Sequence, residues 1–183
     1  IKRIVVLLCM IVIAGCSDSS YCDVEKETKF ETVTACAQKG FLSDQTSLGY
    51  LYYKGDGVKK SSGKALHWLS KAAERGSVSA QYGLAELYKK EDGCGSSCDR
   101  LAAKWYRKAA DQGDYNSQII IGDMYIRGVG VIQDKVLAHM WFNIATLEGT
   151  NTARRKRDRI AKEMSPSQIE KAQDMAREWT AKH

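Results

Sequence analysis

A short stretch of text in this chain returns twice, and that recurrence governs the fold. Leu48-Gly49-Tyr50-Leu51-Tyr52, Leu84-Ala85-Glu86-Leu87-Tyr88 and Ile121-Gly122-Asp123-Met124-Tyr125 align without gaps. After a glycine-rich turn comes a second block: Ala65-Leu66-His67-Trp68, Ala102-Ala103-Lys104-Trp105 and Ala138-His139-Met140-Trp141. The blocks close on Gly76, Gly113 and Gly149. The tyrosines lie 36 and 37 residues apart, and the tryptophans 37 and 36. A period of this length marks a supersecondary unit that buries its apolar face only by stacking on its neighbours. In 183 residues that means a short array, with no room for two large domains.

Each block reads as a helix. Leu48, Leu51 and Tyr52 fall at i, i+3 and i+4, and Ala65, Trp68, Leu69 and Ala72 keep the same spacing. Ser77 and Asp114 stand as N-caps, and Gly76, Gly113 and Gly149 as C-terminal stops. One proline against 15 glycines suits many short helices closed by glycine. Gly49, Ala85 and Gly122 share one register position, where a small residue lets two helices approach. The tyrosines and tryptophans that recur at fixed phase are read as core.

The combined pattern resembles the Sel-1-like repeat family of the tetratricopeptide superfamily. Leu48-Gly-x-x-Tyr52-x-x-Gly55-x-Gly57-Val58, then Lys64-Ala65-x-x-Trp68-x-x-Lys71-Ala72-Ala73-Glu74-x-Gly76, carries the likeness, which covers roughly residues 30–153. The second copy departs at the turn, reading Asp92-Gly93-Cys94-Gly95-Ser96-Ser97-Cys98. The resemblance implies an all-α solenoid of antiparallel helix pairs whose first helices line a concave face. We divide the chain into a half-repeat at 24–44, repeats at 45–80, 81–117 and 118–153, and basic capping helices at 154–183. Ser165-Pro166-Ser167-Gln168 combines a capping box with proline at the first helical position, opening a terminal cap.

Residues 1–15 have a positive flank and an apolar run from Ile4 to Ala14, too short to span a bilayer as a helix. This is expected to be a signal peptide. Ile13-Ala14-Gly15-Cys16 resembles the lipobox of bacterial lipoproteins, which implies acylation at Cys16 and a polar tether over 16–23. Two or three acyl chains anchor a protein stably. Ser17, by resemblance to the enterobacterial sorting rule, favours the outer membrane, with the body facing the periplasm. Cys22, Cys36, Cys94 and Cys98 remain, an even number in an exported chain, which reads as two disulfides with three possible connectivities. Cys22–Cys36 with Cys94–Cys98 is preferred because each pair closes a local loop. A metal at Cys94 and Cys98 lacks two further ligands nearby.

Net charge is +6, yet residues 16–149 carry 17 charges of each sign. The excess sits in the tail, at Arg154, Arg155, Lys156, Arg157 and Arg159, and is read as a solvated helix face, not a nucleic-acid site. Candidate chemistry is thin. Ser61-Ser62-Gly63-Lys64 matches the Ser-x-x-Lys text of serine β-lactamases without its partner motifs. His67 and His139 occupy non-equivalent phases, and no metal or cofactor is expected. The expected site is a surface instead: Tyr50, Tyr53, Glu86 and Asp123, pointing outward on the first helices, with acidic neighbours that favour a basic peptide or loop. Family resemblance and lipobox together imply a monomeric, membrane-anchored, non-enzymatic scaffold that binds an as yet unidentified protein. A toxin-immunity lipoprotein and a weak β-lactam- or peptidoglycan-acting enzyme are the alternatives.

Overall fold

The structure is a computed structural model, and it describes residues 29–90, 95–148 and 151–183. The expected signal peptide, Cys16, Cys22, Cys94 and Gly149 lie outside the described residues. Among those described, the chain is all α-helix: α1 Lys29–Lys39, α2 Leu42–Lys54, α3 Ser62–Glu74, α4 Val78–Lys90, α5 Gly95–Asp111, α6 Tyr115–Arg127, α7 Lys135–Ala145, α8 Asn151–Ala161 and α9 Pro166–Lys182. A 3₁₀ turn, Thr146–Glu148, follows α7. Each helix packs on the next as far as α7, which then receives both α8 and α9. This is a solenoid of antiparallel pairs, α2/α3, α4/α5 and α6/α7, preceded by a single helix and closed by two.

The joint between successive pairs is one motif repeated. At the end of α1, α3 and α5 the amides of Gly40, Gly76 and Gly113 donate to Ala37, Ala73 and Ala110 at 3.1, 3.1 and 3.0 Å. The next amides, of Phe41, Ser77 and Asp114, reach back to Cys36, Ala72 and Ala109. These are Schellman closures, which satisfy carbonyls left open at a helix end. A buried glutamine completes each joint. Gln45, Gln81 and Gln118, fourth residues of α2, α4 and α6, donate Nε2 to the same Ala37, Ala73 and Ala110 carbonyls at 3.1, 3.2 and 3.3 Å. Arg75 and Gln112 in turn donate to the amide oxygens of Gln45 and Gln81 at 2.8 and 2.7 Å. The following helix is thereby fixed in height and rotation.

Within a pair, small residues set the spacing. A Cβ at Gly49 would stand 2.6 Å from Leu69, and one at Gly122 would stand 2.6 Å from the Phe142 ring. Ala85, at the equivalent position, is fully buried. Burial of the repeated tryptophan increases toward the C-terminus: Trp68 is half-buried, Trp105 is buried and Trp141 is 0% exposed. The last figure follows from α7 being covered by α6, α8 and α9, and five consecutive residues, Ala138 to Phe142, are buried. A helix apolar on all sides needs such cover. Trp179 of α9 meets Trp141 edge-on at 6.1 Å. The capping box that starts α9 is formed, with Ser165 and Gln168 each holding the other's backbone amide.

Two sequence expectations shift. The repeat boundaries drawn at 45, 81 and 118 fall three residues inside α2, α4 and α6. The first turns of α2 and α6 are largely polar, and Ser77 and Asp114 cap α4 and α6 by accepting from the Ala80 and Ser117 amides. In the second repeat, Gly95 to Cys98, read as turn, form the first turn of α5, which has 17 residues against 13 in α3. Tertiary contact overrides the weak helix propensity of Gly-Ser-Ser. Cys98 is buried at 7% exposure, and the turn before α7 presses Gly130 against the Asp99 carbonyl. Cys36 and Cys98 are both disulfide-bonded.

Candidate functional site

Register places Tyr50, Glu86 and Asp123 at equivalent points of α2, α4 and α6. Tyr50 is half-buried, its hydroxyl donates to the Ser79 carbonyl at 2.7 Å, and its ring lies where Gly83 has no side chain. This contact ties α2 directly to α4. Burial, helped by Tyr82 and Asp114, pushes the Tyr50 hydroxyl up to about 12. Tyr53 stands one helical turn on, its ring 6.5 Å from Tyr50 and inclined at 67°. The Lys90 ammonium donates to the Tyr53 hydroxyl and sits 5.0 Å from the centre of that ring.

Glu86 is the acidic centre of the face. The Tyr106 hydroxyl of α5 donates to Oε1, and Lys90 lies 3.9 Å from Oε2. Burial first, and this bond second, hold the Tyr106 hydroxyl far above the usual phenol range. Tyr82 meets Tyr106 edge-on at 5.8 Å, and it too is raised, by burial and then by Glu86. The phenols therefore stay protonated at neutral pH and act as donors and ring surfaces, not as bases.

The structure thus brings three of the four expected residues, Tyr50, Tyr53 and Glu86, into one cluster, and the fourth stands apart. Asp123 is committed to Lys156 of α8, whose ammonium lies 2.8 Å from both carboxylate oxygens. Its place in the cluster is lost because a basic helix folds back onto it. Tyr82, Lys90 and Tyr106 were missed by sequence reasoning. Tyr82 and Lys90 flank Glu86 at i−4 and i+4, a spacing that marks one face of a helix.

A shallow groove of about 350 Å³ adjoins Tyr50, lined by Val33, Ser47, Leu51, Lys54 and Asp56. Ser61 of the Ser-x-x-Lys text caps α3, accepting from the Lys64 amide at 3.4 Å, while the Lys64 ammonium lies 5.0 Å over the Tyr52 ring. That text serves a helix start. His67 is exposed, whereas His139 is buried among α7's apolar neighbours. Among the described residues no helix is long and apolar enough to cross a membrane.

Comparison with known proteins gives these residues a family setting. The Sel1 repeat model matches residues 43–77, 78–114 and 116–149. The crystal structure of a Sel1 repeat protein from Oxalobacter formigenes aligns with a TM-score of 0.62 at 33% identity, over 70% of this chain and 96% of that one. The protective antigen c5321 of uropathogenic Escherichia coli, which displays an SLR fold, is 26% identical over 82% of this chain and 40% of its own, with a TM-score of 0.45. No curated protein matches this chain at a significant level.

Proposed function

This chain belongs to the Sel1 repeat family, whose members generally act as protein–protein interaction scaffolds, and we propose that it is such a scaffold, tethered to the bacterial outer membrane through Cys16 and facing the periplasm. The observation that supports a binding role is the aromatic and acidic cluster of Tyr50, Tyr53, Tyr82 and Glu86 on the face shared by α2 and α4. Tyrosine offers large contact area at low entropic cost, and such residues dominate interface energetics. The protein works without turnover in this reading, as is typical of the family, and as a monomer whose partner supplies the second surface.

A photo-crosslinking amino acid at Tyr53 tests the face, with one at exposed His67 as the control. One discrete cross-linked species at position 53, and none at 67, is the expected result in intact cells. Equal labelling at both positions overturns the assignment. The tether is tested separately. Cys16→Ser is expected to release the body into the soluble periplasmic fraction, and retention on the membrane refutes the anchor.

A further inference from the structure

We propose that Glu86 and the tyrosines around it form a slot for a cationic side chain of the partner, lysine or arginine, and that Lys90 fills this slot in the unbound protein. The inference rests on the scaffold reading and specifies the partner's chemistry.

Three observations converge on it. Glu86 keeps 20% of its side chain exposed, and Tyr106 fixes one of its oxygens, so the carboxylate is aimed and still reachable. Lys90 holds the other oxygen only at 3.9 Å, and its side chain is 62% exposed. A pair that long and that wet is weak and readily exchanged. The tyrosines also already meet cations from the chain itself: the Tyr53 hydroxyl accepts from the Lys90 ammonium, and the Lys54 ammonium lies 6.0 Å from the Tyr50 centroid. A tyrosine face attracts an incoming ammonium or guanidinium through its quadrupole.

The third observation is internal to the fold. Asp123 occupies the register position of Glu86 one repeat later, and a basic helix has docked on it, with Lys156 bound to both oxygens at 2.8 Å. The chain therefore shows what this position takes when a cationic segment lies against it. In the second repeat the same chemistry is held by Lys90, through a long ion pair to Glu86 and a hydrogen bond to the Tyr53 hydroxyl. A partner lysine or arginine displaces Lys90 into solvent and exchanges a long ion pair for a short charge-assisted one.

The test uses purified full-length protein and two fluorescein-labelled nine-residue peptides, one alternating Gly and Arg, the other Gly and Glu, read by fluorescence anisotropy. The Arg peptide is expected to bind and the Glu peptide is not. Glu86→Gln, which can still accept from Tyr106, is expected to weaken the Arg peptide roughly tenfold. Lys90→Ala, which empties the slot, is expected to tighten it roughly two- to fivefold. Asp123→Asn, whose carboxylate is already occupied, serves as the charge-matched control and leaves affinity within about twofold. Equal losses in Glu86→Gln and Asp123→Asn reduce the effect to bulk charge and overturn the slot, as does weaker binding after Lys90→Ala. If the Tyr53 cross-link forms but Glu86→Gln leaves Arg-peptide binding unchanged, the slot falls and the scaffold survives. If the peptide behaves as expected but no cross-link forms at position 53, the slot survives and the scaffold falls.

Discussion

Gly57 and Gly130 occupy the same place in the turns of the first and third repeats, with φ of +67° and +70°. Both are in the left-handed region, where an L side chain costs roughly 1–2 kcal/mol. Their surroundings differ. Nothing lies within 4 Å of a Cβ at Gly57, whereas a Cβ at Gly130 would meet the Asp99 carbonyl and stand 3.0 Å from the Arg100 nitrogen. Those are backbone atoms in the first part of α5, and they cannot rotate away. Forcing apart a packed contact of this kind costs typically 1–3 kcal/mol more. Gly57→Ala is therefore expected to cost about 1–2 kcal/mol, and Gly130→Ala about 2–5 kcal/mol. Urea unfolding followed by tryptophan fluorescence measures both, and with a slope of roughly 1–3 kcal/mol/M the midpoints separate clearly. Equal losses in the two variants would show that the α5 contact contributes nothing and that backbone strain alone explains the glycines.

Further outcomes follow from the joints and the buried groups. Gln81→Leu keeps side-chain volume but removes the bond to Ala73, whose carbonyl retains the Gly76 amide; a loss near 1 kcal/mol is expected in the same unfolding assay, and no loss removes the glutamine from the joint. His139 is held below its ordinary 6.5 by burial and then by Arg157, with Asp158 opposing. It folds neutral, so stability is complete above pH 6.5 and declines below it, as the unfolded chain takes up a proton that the folded chain refuses, down to the lower folded value. His139→Phe is expected to flatten that decline between pH 7.5 and 5, and an unchanged slope assigns the decline to other groups. Non-reducing peptide mapping is expected to show Cys22–Cys36 and Cys94–Cys98. In the chain-entropy account the first, closing 15 residues, contributes about 3 kcal/mol, and free thiols at all four positions overturn the pairing.

The solenoid is legible in the sequence because Tyr and Trp recur at a fixed phase, and a side chain that must meet its neighbour's copy cannot drift. The helix starts are less so. Leu42-Ser43-Asp44 and Tyr115-Asn116-Ser117 give their first turns no apolar rhythm; the cap at Asp114 betrays the second, while α2 begins with no side-chain cap. Gln45, Gln81 and Gln118 keep the repeat spacing in plain view, yet a search for apolar periodicity passes over a polar residue whose role is inside. At the face, Glu86 and the two tyrosines of α2 follow from helix phase. The commitment of Asp123 does not, because Lys156 reaches it across 33 residues of chain and through a helix whose docking depends on the completed core.

The joints also mark where the coupling between repeats stops. From each closing glycine to the glutamine of the next helix the offset is constant: Gly40 to Gln45, Gly76 to Gln81, Gly113 to Gln118. From Gly149 the same offset arrives at Arg154, which is exposed. A guanidinium can donate but offers no amide oxygen for a following turn to grip, and burying it at a joint would strand a charge. One residue thus behaves like a chain terminator in a polymer. A duplicated 36-residue unit inserted ahead of α6 inherits a working coupling at both ends, and one inserted directly after Gly149 brings its own glutamine to the open offset and leaves Arg154 to close the longer array.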